Sequence, residues 1–188
     1  MNAATVWDRY FNPVTKETAD LLTELVQRGG NGDHLEIGTL FGASAIHAAL
    51  YKKEKGLGGK IVCIDPFEPG LLTPTIRERC VCDPTPEIVM ENAKFYGVAD
   101  RIEIIKTKSK PFPIKGRRFA TTYIDGDHTF SGAYSDWENA RQITDVAILL
   151  DDDSPILGPY RVAREFIAVD PDWEVRYQYG MIMAVKNR

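Results

Sequence analysis

The stretch His34-Leu35-Glu36-Ile37-Gly38-Thr39-Leu40-Phe41-Gly42-Ala43-Ser44 decides the fold. A short apolar run passes through two glycines straight into a helical pattern, which predicts a strand, a tight turn and a helix N-terminus. Glycine has no Cβ, so such a turn lets a ligand come close to backbone N–H groups. The helix start adds free donors and the positive end of its dipole. Glu36 sits two places before the first glycine. A site built only to grip phosphates gains little from a carboxylate there. A ligand that carries positive charge or donors gains more.

Outward from this turn, strand and helix patterns alternate. Upstream, residues 15 to 28 read as a helix with Thr15 as N-cap, Ala19, Leu22, Leu25 and Val26 on one face, and Gly29-Gly30 as the stop. Downstream come a helix over 43–55, a buried strand over 60–64 ending at Asp65, and a stretch over 66–84 that reads as irregular. Thr85-Pro86-Glu87 opens a helix, with Pro in its first turn and an acid near its positive end. Strands are predicted over 101–105, 119–124 and 146–150, with a helix over 131–143 between the last two. Gly158-Pro159 starts a helix through Val169, and 173–178 with 181–186 form a closing hairpin around Tyr179-Gly180. This alternation predicts a parallel α/β sheet with helices on both faces and an antiparallel strand at one edge.

The 188 residues fit a single domain spanning 1–188, with 1–14 as an N-terminal segment. A formal charge of −4 argues against nucleic acid, whose binders usually show a basic face. No membrane-span or signal-peptide pattern is found, so a cytoplasmic protein is expected. Of the three cysteines, Cys63 lies in an apolar strand and reads as core, while Cys80-x-Cys82 has no histidine near it to complete a zinc site. The basic run Lys106, Lys108, Lys110, Lys115, Arg117, Arg118 reads as a solvated connection.

Open α/β sheets bind ligands beyond the carboxyl ends of their strands. In this chain those ends carry Glu36 and Gly38, then Asp65, then Thr107-Lys108-Ser109, then Asp125-Gly126-Asp127-His128, then Asp151 and Asp152. Asp65 suits a ribose, or alternatively a turn cap. Ser109 suits an adenine edge, or again a turn. A ligand with an ammonium, a sulfonium, a ribose and no phosphate is S-adenosylmethionine. The spacing Gly38-x-x-x-Gly42 lacks the second glycine of a dinucleotide fingerprint, which disfavours a nicotinamide-dependent oxidoreductase.

The order Glu36-Ile37-Gly38-Thr39-x-x-Gly42-x-Ser44, Asp65, Ile124-Asp125-Gly126-Asp127-His128, Asp151-Asp152 resembles the class I S-adenosylmethionine-dependent methyltransferases. Within them it resembles the small-molecule O-methyltransferases. One branch is the catechol and caffeoyl-CoA group. The nearer one is the small bacterial-type enzymes with an Ile-Asp-Gly-x-His motif, macrocin-type sugar O-methyltransferases among them. The resemblance runs over residues 15 to 186. It implies a Rossmann-like three-layer αβα sandwich whose seven-stranded, mostly parallel sheet has the order 3-2-1-4-5-7-6, strand 7 antiparallel. It places Glu36 and Gly38 against the methionine part of the cofactor, with Thr39, Gly42 and Ser44 in the same turn. Asp65 falls on the ribose, Ser109 near the adenine, and Asp125 beside the cofactor. In the catechol-type enzymes an aspartate after the fourth strand, and an Asp and an Asn after the fifth, bind a divalent metal. Those positions hold Asp125, Asp151 and Asp152 in this chain, and Mg²⁺ is the ion such oxygen ligands suit. The base lysine of that group falls at His128, which makes His128 and Asp125 the catalytic candidates. The plainer alternative has Asp125 capping a helix, Asp151–Asp153 as a solvated turn, and His128 ordering the loop.

The expected function is methyl transfer from S-adenosylmethionine to a hydroxyl of a small molecule. A non-catalytic S-adenosylmethionine-binding module is the alternative, although His128 and the acidic positions would have no evident use there. No Asn/Asp-Pro-Pro-aromatic motif is present, which argues against amino-methylation of bases. Residues 66–84 and the aromatic segment Trp7, Tyr10, Phe11 are the expected acceptor wall, and that N-terminal segment is also a candidate homodimer contact.

Overall fold

The computed structural model describes residues 16–72, 74–80, 82–152 and 154–187. Residues 1–14, expected as acceptor wall or dimer contact, lie outside the described residues, as do the expected N-cap Thr15 and Asp153. The chain runs α1 (Lys16–Gly29), β1 (His34–Ile37), α2 (Ala43–Glu54), β2 (Ile61–Asp65), a 3₁₀ turn (Pro69–Leu71), α3 (Pro74–Arg79) and α4 (Pro86–Phe95). It continues with a 3₁₀ turn (Ala99–Arg101), β3 (Ile102–Lys106), β4 (Phe119–Ile124), α5 (Phe130–Ile143) and β5 (Thr144–Asp151). Last come α6 (Gly158–Val162), a π-helical turn (Ala163–Ile167), β6 (Trp173–Gln178) and β7 (Met181–Lys186).

The sheet order is β3-β2-β1-β4-β5-β7-β6. β1 pairs in parallel with β2 and β4, and β7 is antiparallel to both β5 and β6. The order and the reversed strand are those the family resemblance implies. Side chains alternate across the sheet. Leu35, Ile37, Val62, Ile64 and Ile124 face a core shared with α5 and α6, including Ala133, Trp137, Val162 and Ala163. Ile61 and Cys63 pack with Ala45, Ile46 and Ala49 of α2 and with Ala93 and Tyr96, on the opposite face. Tyr123 and Leu149 meet Leu21, Leu22 and Leu25 of α1. Glu36 stands in register with Cys63 and Tyr123, and so shares their face of the sheet.

Three local expectations change. Residues 66–84 are not irregular throughout: they hold a 3₁₀ turn and the six-residue α3. Pro74 starts that helix, and a turn and a half is too short for periodicity to show. β5 begins at Thr144, directly at the C-cap of α5, with no connecting loop. The helix after Gly158 is α-helical only to Val162, then turns π-helical over Ala163–Ile167. Two charged residues, one buried and one half-buried, take roles that the sequence does not show. Lys52 is 1% exposed, with its ammonium donating to the carbonyls of Gly30 (2.6 Å), Gly32 (2.9 Å) and Gly58 (3.2 Å). Arg117 bonds Asp33 at 2.8 Å and Glu103 at 2.9 Å, so it is an anchor and not part of a solvated run. Both groups tie loops that feed the N-terminal ends of the strands.

Gly38 is fixed by the fold itself. Its φ is +88°, and a Cβ built there would stand 2.0 Å from the carbonyl oxygen of Asp125. Gly30 also has a positive φ, +53°, but a Cβ on it would meet nothing within 4 Å. Gly30→Ala should therefore cost only the left-handed backbone term, about 1–2 kcal/mol. Gly38→Ala should cost roughly 4 kcal/mol or more, in the range reserved for overpacked sites. Urea unfolding of the two variants checks this; equal losses would mean that the crossing over Asp125 has room to relax.

Candidate active site

The turn after β1 is held from below by β2. Asp65 Oδ2 accepts the backbone N–H of Thr39 (2.7 Å) and of Leu40 (3.0 Å), while Oδ1 accepts that of Phe67 (2.6 Å). A carboxylate has about four acceptor positions. Three are taken, so one remains for a ribose hydroxyl and the other would need a second acceptor. Gly42 closes the turn as the N-cap of α2 in the left-handed region, φ 82°, where a Cβ would press within 2.6 Å of Val89 Cγ1. Asn92 on α4 donates to the carbonyl of Phe41 at 3.3 Å. Leu40, Phe67 and Asp152 all have positive φ, and each follows the end of a strand. Strained backbone of this kind collects at functional sites.

Glu36 is fully buried beneath this turn, and neither of its oxygens closes a hydrogen bond. Burial pushes its pKa up to about 8, against the opposing pull of the Ser44 hydroxyl, with the nearby charge of Asp125 adding to the rise. Thr39 and Ser44, also buried, lie within its influence. The turn residues expected from the sequence are thus gathered around one buried acid.

The second centre lies at the ends of β4 and β5, which pair directly. The Tyr123 hydroxyl stands between two carboxylates, 3.3 Å from Asp125 Oδ2 and 3.2 Å from Asp151 Oδ1. Its pKa is raised well above the usual tyrosine value, first by burial and then by Asp125, so the phenol keeps its proton. His128 Nε2 donates to Asp125 Oδ1 at 3.1 Å, and Nδ1 lies 3.4 Å from Asp152 Oδ2. The hydrogen bond it donates to Asp125 raises the histidine's pKa to about 9, against the effect of burial. Asp151 is raised too, by burial and by the charge of Asp125.

Asp125, His128 and Asp151 each offer a ligand atom within 4.8 Å of the others. Two carboxylates and an imidazole are a donor set that divalent ions accept. Asp152, expected as the third ligand, instead faces the other nitrogen of His128. The same arrangement also answers the repulsion between the acids without a metal, because protonated His128 supplies the positive charge. Held by Asp125, the imidazole is biased toward its protonated form, which bears directly on the role of base expected for His128.

Other positions fall outside these two centres. Ser109 lies beside Asp136, a buried acid on α5. Tyr123, Asn92 and Asp136 were not singled out by the sequence reading. A tyrosine inside an apolar strand reads as core, and a helical aspartate reads as a solvent-facing residue. The metal-capable group among the described residues contains neither Cys80 nor Cys82. A cavity of about 460 Å³ is lined by Leu72, Arg77, Cys80, Cys82 and Asp83, and no strand-end residue lines it. None of the helices among the described residues is long and apolar enough to cross a membrane.

Comparison with known structures finds the same fold in several enzymes. Cofactor-bound Rv0187 from MTB superposes with a TM-score of 0.68 at 19% identity, covering 98% of this chain and 85% of that one. The O-methyltransferase from Bacillus cereus in complex with SAH gives 0.66 at 22% identity, covering 98% and 86%. The O-methyltransferase TomG from Streptomyces achromogenes, involved in tomaymycin synthesis and in complex with SAM, gives 0.67 at 20%, covering 94% and 84%. At these identities the likeness is one of fold. Comparison with curated protein sequences gives no significant match. The sequence profile of the family described as "Methyltransferase domain" matches residues 35–154, from β1 through the acidic centre after β5. With that match over most of its length and a class I Rossmann-like sheet, the chain belongs to the methyltransferase domain family.

Proposed function

We propose that the protein transfers the methyl group of S-adenosylmethionine to a hydroxyl of a small molecule. The observation that carries this reading is the meeting of two unlike centres on neighbouring strands. A glycine turn over a buried acid suits a cationic cofactor. An acidic cluster with an imidazolium suits an acceptor hydroxyl that must lose its proton. The acceptor oxygen attacks the sulfonium methyl, its proton passes to a carboxylate of the cluster or to solvent, the carbon–sulfur bond breaks, and S-adenosylhomocysteine leaves. Holding the two reactants in line supplies several kcal/mol of the barrier.

In this reading the turn residues Gly38, Thr39, Gly42 and Ser44 border the methionine half, Asp65 takes one ribose hydroxyl, and Ser109 borders the adenine. Asp125 and Asp151 would hold a divalent ion, with His128 or Asp152 as the third ligand. Such an ion, when bound, lowers the pKa of a ligating hydroxyl. Without it, His128 carries a proton and stabilises the developing oxyanion. The base role becomes open to His128 only once the charge of Asp125 is otherwise compensated. Acceptor choice falls to the loops, residues 66–84 first.

The test is methyl transfer from labelled S-adenosylmethionine across phenols, sugars and hydroxy acids, with and without chelator. Activity should fall in chelator and return with Mg²⁺ or Mn²⁺, and Asp151→Asn should lower it by about 10–100-fold. His128→Gln and Asp152→Asn identify the third ligand by which of them weakens metal binding. Full activity in chelator would remove the metal from the mechanism. Cofactor binding without transfer to any acceptor would favour a non-catalytic module.

Glu36 supplies a second, pH-based prediction. Its folded pKa of about 8 leaves it largely neutral at pH 7 in the free protein. A cationic ligand favours the ionised form, so binding should expel a proton below that pKa. The sign follows: affinity for S-adenosylmethionine should rise with pH between about 6 and 8, by at most tenfold per unit. Glu36→Gln should flatten the profile. Calorimetry in buffers of different ionisation enthalpy reads the released proton directly, and a pH-independent affinity in the wild type would separate Glu36 from the ligand's charge.

A further inference from the structure

One buried acid belongs to neither centre. Asp136 on α5 is 1% exposed, and among the described residues neither of its carboxyl oxygens closes a hydrogen bond of ordinary length, although the Ser109 hydroxyl stands close by. It sits among the buried residues of that helix, Ala133, Trp137 and Ala140. A Cβ built on Gly126 would stand 3.5 Å from Asp136 Oδ2, which puts the carboxyl directly behind the motif loop after β4. From the other side the Ser109 hydroxyl acts on it, lowering a pKa that burial pushes up to about 6. The carboxyl therefore stands behind two loops at once, the one after β3 and the one after β4.

An acid buried without a donor destabilises the fold, and the loss is recovered when a donor closes onto it. The available donor is on a loop that the proposed function sets beside the adenine. We infer that Asp136 is a positioning residue for the adenosine half of the cofactor: Ser109 closes onto its carboxyl as the purine enters, which draws the loops after β3 and β4 together around the ring. The inference rests on the methyltransferase reading above. It adds that binding of the purine half is coupled to a carboxyl that no ligand touches.

The experiment titrates S-adenosylhomocysteine and 5′-methylthioadenosine, which keeps only the adenosine half, into wild type and variants by calorimetry. Urea unfolding is run alongside. Asp136→Leu removes the orphaned acid, so it should unfold at the same or higher urea concentration while binding both ligands about tenfold more weakly. Asp136→Asn keeps an acceptor and should stay within about threefold of wild type. Ser109→Ala should weaken both ligands about as much as Asp136→Leu, and the double variant should lose little more, as expected for one shared interaction. A purely structural Asp136 would show the reverse, lower stability with unchanged affinity, and that result overturns the proposal. So does a loss confined to S-adenosylhomocysteine, since the purine half would then be untouched. Should Asp136→Leu fail to fold, Ser109→Ala decides alone: unchanged 5′-methylthioadenosine affinity overturns the inference. A wild type that binds neither ligand overturns the methyltransferase reading itself, and the inference with it.

Discussion

The crossing of Gly38 over the carbonyl of Asp125 is the constraint on which the rest of the site depends. With the Cβ position only 2.0 Å from that oxygen, no other residue fits without moving β1 or β4. The Asp125 N–H also bonds the Ile37 carbonyl at 2.8 Å, and the Gly38 N–H bonds that of Ile64 at 2.9 Å. The three strand ends are therefore pinned to one another at their last residues. The glycine turn and Asp125 are held at one fixed separation, as the in-line transfer proposed for them requires. Sheet pairing alone sets strands about 4.8 Å apart; the contact at Gly38 fixes what their ends do next.

Electrostatics divides the sheet into two unlike edges. At the N-terminal ends of the strands, the buried Lys52 has three carbonyls and the half-buried Arg117 has Asp33 and Glu103. At the C-terminal ends the accounting fails in one direction. Glu36 and Asp136 lack partners, Thr39 Oγ1 and Asn92 Oδ1 lack them too, and Asp151 is held above its usual pKa. Natural interiors leave few polar groups unpaired, and each needs a reason. His34 Nε2, at the start of β1, is the exception; the gathering of the others at the opposite edge, beside three non-glycine residues with positive φ, is the pattern of an edge built to receive something.

How much of this was legible in the sequence depends on what each signal rested on. The glycine turn, β4 and the final hairpin were readable because glycine placement and alternation are local properties of a strand and its turn. The strand order came through the resemblance. α3 was not readable: six residues give no period, and Pro74 could as well have marked a loop. Tyr123 was hidden because the same alternation that makes it core also aims its hydroxyl past the strand end toward Asp125 and Asp151. Asp65 was read as a ribose ligand or a cap, and its hydrogen bonds to Thr39, Leu40 and Phe67 give it the cap role without deciding the other. Three-dimensional pairing, and not composition, assigns such residues.

His128 illustrates why donor identity alone could not fix the chemistry. The sequence offers three aspartates at positions that the resemblance assigns to a divalent metal. In the structure the cation is already in the chain. His128 sits between Asp125 and Asp152, and its hydrogen bond to Asp125 pushes its pKa up, which favours the imidazolium. A divalent ion at Asp125 and Asp151 would compete with that imidazolium for the same negative charge. Whichever one holds the carboxylates sets what the other can do. An ion there frees the imidazole to ligate or to accept a proton, whereas an imidazolium there leaves oxyanion stabilisation as its contribution. The neutral Tyr123 hydroxyl, bridging both acids from the buried side, keeps them together in either case.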